Sequence, residues 1–300
     1  MPLLRGFLYL LCTVLTTVPL LLAEDHSTPM ELRRDMPFVQ VMVNGKGPFT
    51  FGIDTGTGGK ALVSPALIQQ LNLPVIGEAE VGDPSGQNSH KVPLVRVDSL
   101  KVAGIEFSHV EAVQHQPSTR EGLCDGILGF VLFRDYLFTL DYPGKQLTLA
   151  SGSLKPDGGN TVIPFTMPNN VPVVQLTVGA QEIDVHVDSR GMGLSFPQKE
   201  TAGWKFVSEP EVIGRGRTVS SDFEMKGAQL AGDVKLGGYT FPQPFVEINP
   251  VFPIGNFGAI PLHNFAVTFD QQNKLLRLTA PQKSIVIAPP QPRLSAPPAK

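Results

Sequence analysis

Asp54 ends the apolar run Phe49-Thr50-Phe51-Gly52-Ile53 and is followed by Thr55-Gly56-Thr57-Gly58-Gly59. A carboxylate at a strand end, on a turn of small residues, is held rigidly yet stays reachable. Asp188 has a similar setting: it ends Ile183-Asp184-Val185-His186-Val187 and precedes Ser189-Arg190-Gly191-Met192-Gly193. Two carboxylates brought close together cannot both ionise easily, so the proton affinity of one rises and that of the other falls. Such a pair shares one proton. It can take a proton from a water while giving one to the carbonyl oxygen or leaving amine of a peptide. Asp54 and Asp188 are therefore the candidate catalytic residues. Thr55, Gly56 and Ser189 are their candidate supports, the two hydroxyls tying the turns together beneath the carboxylates.

The elements that carry the two aspartates repeat along the chain. The first set reads Phe38-Val39-Gln40-Val41-Met42-Val43, a polar turn at Asn44-Gly45-Lys46-Gly47-Pro48, and Phe49 to Asp54. The second reads Val173-Val174-Gln175-Leu176-Thr177-Val178, a turn at Gly179-Ala180-Gln181, and Glu182 to Asp188. Each is a strand, a hairpin turn and a strand ending in aspartate. The Gln-to-Asp spacing is 14 residues in one and 13 in the other. Later landmarks repeat as well. Ile127-Leu128-Gly129 matches Asn256-Phe257-Gly258, and Thr139-Leu140-Asp141 matches Thr268-Phe269-Asp270, at 75 and 87 residues from the first aspartate and 70 and 82 from the second. Two copies predict an all-β fold of two lobes related by a pseudo-two-fold axis, with equivalent positions face to face across a cleft.

The remaining pattern agrees with β structure. Residues 94–102 and 228–236 largely alternate apolar and polar and are expected strands. Pro65 to Leu71 is an expected short helix, with Ser64 as its N-cap. The expected organisation is an N-terminal lobe over 37–150, a Gly-, Ser-, Pro- and Asp-rich linker over 151–160, a C-terminal lobe over 161–280, and a Pro-rich tail over 288–300. Trp204, Lys205 and Phe206 are expected to pack in the second lobe, and Cys124 to be a small buried apolar residue.

The chain resembles the pepsin and retropepsin group of aspartic proteases, in the bilobed single-chain form, over about residues 37–279. The run from Phe51 to Ser64, FGIDTGTGGKALVS, resembles that group's active-site segment. Ile127-Leu128-Gly129 resembles its apolar-apolar-Gly element, which passes behind the active-site loop. The resemblance implies a mainly β fold, a cleft between lobes and a β-hairpin flap over an extended peptide. The flap falls near 82–88, making Ser85, Gly86 and Gln87 candidate substrate contacts. The second-lobe equivalent falls near 214–221. The pepsin-type flap tyrosine is absent.

The second half departs from the group's pattern at Arg190, where the motif has glycine, and at the more polar Asn256-Phe257-Gly258. A glycine there lets backbone approach backbone. An arginine near Asp188 would lower its pKa by about 1 to 3 units and upset proton sharing; pointing to solvent, it would do neither. Two functions follow. One is an aspartic-type endopeptidase cutting extended peptides through Asp54 and Asp188. The other is a peptide-binding protein that keeps the cleft without the chemistry.

Composition narrows the field further. Charged residues are 17% of the 300 residues and the net charge is −3, so nucleic acid is not an expected partner. Peptide or protein is, and a monomer is expected. The six histidines show no metal spacing, so neither metal nor other cofactor is expected. His186, two residues before Asp188, reads as a polar residue beside the cleft. Residues 1–23 carry Arg5 near their start and an apolar run over 7–22. They form either a cleaved secretory signal or an uncleaved membrane anchor, so the protein is expected to be exported or membrane-anchored.

Overall fold

A computed structural model of the chain describes residues 26–82, 89–115, 124–217 and 222–289. The first half forms β1 (His26–Pro29), β2 (Glu31–Arg33), β3 (Met36–Val43), β4 (Lys46–Asp54), β5 (Ala61–Val63), helix α1 (Pro65–Leu71), β6 (Val75–Val81), β7 (His90–Val102), β8 (Ile105–Gln114), β9 (Gly126–Gly129), β10 (Leu137–Asp141) and β11 (Gln146–Ala150). The second half forms β12 (Val162–Pro164), β13 (Val173–Val178), β14 (Gln181–Val187), β15 (Leu194–Pro197), β16 (Glu211–Arg217), β17 (Asp222–Gln229), β18 (Val234–Leu236), β19 (Tyr239–Phe241), β20 (Phe245–Asn249), β21 (Gly255–Phe257), helix α2 (Ala259–Leu262), β22 (Ala266–Asp270) and β23 (Leu275–Thr279).

The strands make three sheets. The N-terminal sheet has the order β2-β3-β4-β9-β5-β8-β7-β6, with β3 also pairing β7. The C-terminal sheet has the order β16-β17-β20-β15-β21-β14-β13-β18-β19. Replacing β3, β4, β9, β5 and β8 by β13, β14, β21, β15 and β20, and β7 and β6 by β17 and β16, matches the two orders except at one end, where β2 stands in one sheet and β18-β19 in the other. Strand β7 runs unbroken to pair with both β8 and β3. Its counterpart is divided: β17 pairs with β20, and β18 pairs with β13. The single strand expected over 228–236 is therefore corrected to the end of β17, a turn and β18. The break comes where Leu230 bridges Phe206 and the Ala231 N–H donates to Lys205 O at 2.8 Å.

The third sheet joins the halves in the order β1-β11-β10-β22-β23-β12. At its centre β10 and β22 pair antiparallel, with Thr139 opposite Thr268 and Phe138 opposite Phe269. The two threonine hydroxyls meet at 2.9 Å. Beside them Phe133 stacks on Phe138 at 4.3 Å, Phe138 on Phe269 at 5.6 Å, and Phe130 meets Phe269 edge-on at 5.0 Å. This fully buried aromatic cluster supports the sheet from both halves.

Local signals explain the smaller elements. Helix α1 starts at Pro65, and the Ser64 hydroxyl accepts from Leu67 N–H at 3.1 Å, as the sequence predicts. It ends at Asn72 in the left-handed region. Trp204 packs edge-on against Phe196 at 4.9 Å, and Phe206 also packs on the core. Cys124 is half-buried, not the core residue expected. The tail from 290 and the flap candidates Ser85, Gly86 and Gln87 lie outside the described residues, as does the N-terminal segment 1–23. Among the described residues no helix is long and apolar enough to cross a membrane.

Candidate active site

Asp54 is the last residue of β4, and Asp188 follows the last residue of β14. Each turn is backed by a parallel strand with a glycine at its end, Gly129 as the last residue of β9 and Gly258 just after β21. Asp54 lies opposite Gly129 of β9, and Asp188 N–H donates to Phe257 O of β21 at 3.2 Å. A side chain at Gly129 would overlap Gly59 O, and one at Gly258 would put its Cβ 2.7 Å from both Gly191 O and Gly193 O. The glycines are needed because backbone passes against backbone there. The Gly129 and Gly258 N–H groups donate to Lys60 O at 2.9 Å and to Gly193 O at 3.0 Å.

Beneath the carboxylates the two turns are laced together. Thr55 Oγ1 donates to Val187 O at 2.6 Å and accepts from Ser189 N–H at 2.9 Å. Ser189 Oγ donates to Ile53 O at 2.8 Å and accepts from Thr55 N–H at 3.0 Å. Both side chains are buried, so these four bonds meet no competition from water in the folded protein and fix one turn against the other.

The carboxylates themselves flank Gly56. Its N–H donates to Asp54 Oδ1 at 2.8 Å, while a Cβ built on it would stand 2.9 Å from Asp188 Cγ. Only glycine leaves room for the Asp188 carboxylate at that point. Thr57 Oγ1 donates to Asp54 Oδ2 at 2.9 Å. Asp188 Oδ1 accepts from Arg190 N–H at 2.9 Å, and its Oδ2 accepts from Asn256 Nδ2 at 3.2 Å. The two aspartates thus have different donors. Asp54 uses a hydroxyl from its own loop, and Asp188 uses an amide from the strand behind it.

Burial pushes Asp54 up to about 6, and the charge of Asp188 adds to the rise. The Arg190 charge, the Thr57 hydroxyl and the Gly56 N–H oppose it. The Arg190 guanidinium lies over the Phe38 ring at 5.4 Å and occupies the space beside Gly52. It does not point to solvent. It turns across to the N-terminal sheet, and its charge bears on Asp54. His186 is half-buried, which lowers its pKa, with the Asp188 charge opposing.

Thr57, Asn256 and the direction of Arg190 were missed by sequence reasoning. The hydroxyl three residues after Asp54 was a usable signal for Thr57. Asn256 stood in view as a polar residue where the apolar-apolar-Gly element expects an apolar one. Among the described residues no cluster of three or more His, Cys, Asp or Glu side chains is arranged to hold a metal.

A family profile described as aspartyl protease matches residues 39–132, which carry Asp54 and most of the N-terminal sheet. No curated protein sequence matches the chain. Among solved structures, the crystal structure of a retropepsin-like aspartic protease from Rickettsia conorii is similar at 18% identity, covering 43% of this chain and 93% of that one, with a TM-score of 0.33. That likeness is too distant to carry weight. The profile match and the all-β architecture support an aspartic-protease fold.

Proposed function

We propose that the protein is an aspartic-type endopeptidase that hydrolyses extended peptides, with Asp54 and Asp188 as its catalytic pair on facing lobes of an internally duplicated chain. The observation that carries this reading is the lacing of the two aspartate turns by Thr55 and Ser189, which holds two carboxylates about Gly56. In the proposed reaction a water between the carboxylates attacks the peptide carbonyl carbon. Its proton passes to Asp188, and the proton held by Asp54 passes to the carbonyl oxygen. Collapse of the tetrahedral species returns that proton to Asp54, breaks the C–N bond and delivers the Asp188 proton to the leaving nitrogen. Thr57 and Asn256 orient the carboxylates. On this reading substrate closure is assigned to the segments near 82–88 and 214–221. Residues 1–23 are read as an export signal or anchor, and the working form as a monomer. The test is peptide hydrolysis in mildly acidic buffer by wild type and Asp54→Asn. Loss of about 10²–10⁴-fold is expected, and equal rates would sink the reading.

A second reading is a peptide-binding protein without turnover. It is favoured by the cationic Arg190 beside Asp54, which works against proton retention there. On this reading wild type binds peptides without cutting them, and Arg190→Gly creates hydrolysis.

A further inference from the structure

Asn256 leads from Asp188 into a row of polar side chains. On β21 it lies opposite His186 of β14 on one side and Ser195 of β15 on the other, and Ser195 lies opposite Glu247 of β20. Residues in register project to one face of a sheet. That face is the one on which Asn256 reaches the Asp188 carboxylate. The alternate residues Leu194, Phe196, Val246, Ile248 and Phe257 are buried on the other face, in the core. Within the row the Ser195 hydroxyl accepts from Asn256 N–H at 3.3 Å. Glu247 bends back over the Asp188 loop, where a Cβ on Gly193 would stand 2.6 Å from its Oε1. The matching row of the N-terminal sheet has Gly52, Ile127, Leu62 and Val113 in register on β4, β9, β5 and β8. One wall beside the aspartates is therefore apolar from Ile127 to Val113, with the Arg190 guanidinium at its Gly52 end. The other ends in a carboxylate that has no hydrogen-bond or ion-pair partner among the described residues.

Resting on the proposed peptide site, we infer that the C-terminal sheet receives a basic substrate side chain, with Glu247 as the carboxylate that meets its ammonium or guanidinium, while the N-terminal sheet receives an apolar one. An extended peptide places successive side chains on opposite sides, so the residues flanking the scissile bond meet different walls. A carboxylate desolvated without a partner is costly, and a cation delivered by the substrate offsets that cost. Burial alone pushes Glu247 up to about 7, so in mildly acidic solution it holds a proton that it releases as the substrate's cation arrives.

The experiment uses full-length protein and pairs of peptides that differ only in lysine or norleucine, placed in turn on each side of the scissile bond. Hydrolysis of the cleavable peptides is measured, as is binding of versions with a reduced, uncleavable bond. Wild type is expected to favour lysine over norleucine at one position by about tenfold or more, and Glu247→Gln to bring that ratio near one. A merely structural role for Glu247 would weaken both peptides together and leave the ratio intact. That result, no preference in wild type, or binding of neither peptide overturns the pocket. A lysine preference in binding without hydrolysis leaves the pocket standing and removes the endopeptidase reading. Hydrolysis without a preference does the reverse.

Discussion

The Arg190 guanidinium occupies the space that a side chain at Gly52 would fill, so the glycine of one half and the arginine of the other form a single contact. The guanidinium also lies over Phe38, and its terminal nitrogens are buried. Arg190→Gly should remove both a packed stem and a charge. The cavity should cost about 2–4 kcal/mol of stability. Loss of the charge should raise the Asp54 pKa above its present value of about 6. Arg190→Met, which keeps most of the volume, should recover stability but not the charge effect. Chemical denaturation and a pH profile of each variant separate the two, and an unchanged denaturation midpoint in Arg190→Gly would contradict the packing role.

The lacing between the turns gives a second prediction. Ser189→Ala strands a buried N–H at Thr55 and a buried carbonyl at Ile53. Each stranded group costs about 1–3 kcal/mol, so a loss of about 2–4 kcal/mol is expected. Thr55→Ser keeps the hydroxyl and deletes only a buried methyl, for about 1 kcal/mol. Denaturant unfolding of the two variants should show this order, and a reversed order would mean that packing rather than hydrogen bonding holds the turns.

On the proposed endopeptidase reading the pair needs one retained proton, and Asp54, raised to about 6, is the group that holds it. Activity should therefore fall as pH rises through about 6, approaching tenfold per pH unit beyond it. Thr57→Val removes a donor that favours the charged form of Asp54, so the descending limb should move to higher pH. A limb that stays fixed in Thr57→Val would show that another group sets it.

The strand-turn-strand units that end at Asp54 and Asp188 were legible because each is local: a period-two pattern, a Gly-rich turn and a carboxylate. Helix α1 was legible for the same reason, from Ser64 and Pro65. The polar row behind Asp188 was not. Ser195, Glu247 and Asn256 lie on three strands far apart in sequence, and alternation alone cannot tell a polar residue facing solvent from one facing a site. Only the register that puts Ser195 opposite both others brings them together. Arg190 was ambiguous because the hole it fills belongs to Gly52, in the other half of the chain.

Glu247 also makes stability depend on pH in a definite direction. Its folded value is raised by burial from 4.5 to about 7, so between these limits the folded protein binds more protons than the unfolded chain. Stability from this group is present in full below about pH 4.5 and is lost as pH rises through about 7, at about 1.4 kcal/mol for each unit of pKa difference. Asp54 acts in the same sense up to about 6. His186, whose value is lowered from 6.5, acts in the opposite sense. Glu247→Gln changes neither of those groups directly, so the difference between the wild-type and Glu247→Gln stability curves isolates Glu247. The variant should equal or exceed wild type at every pH above 7, with an advantage that grows between about pH 5 and 7 and is then constant. Urea unfolding at half-unit pH steps measures it. A difference curve that is flat across this range would mean that Glu247 ionises in the folded protein as freely as in the unfolded chain.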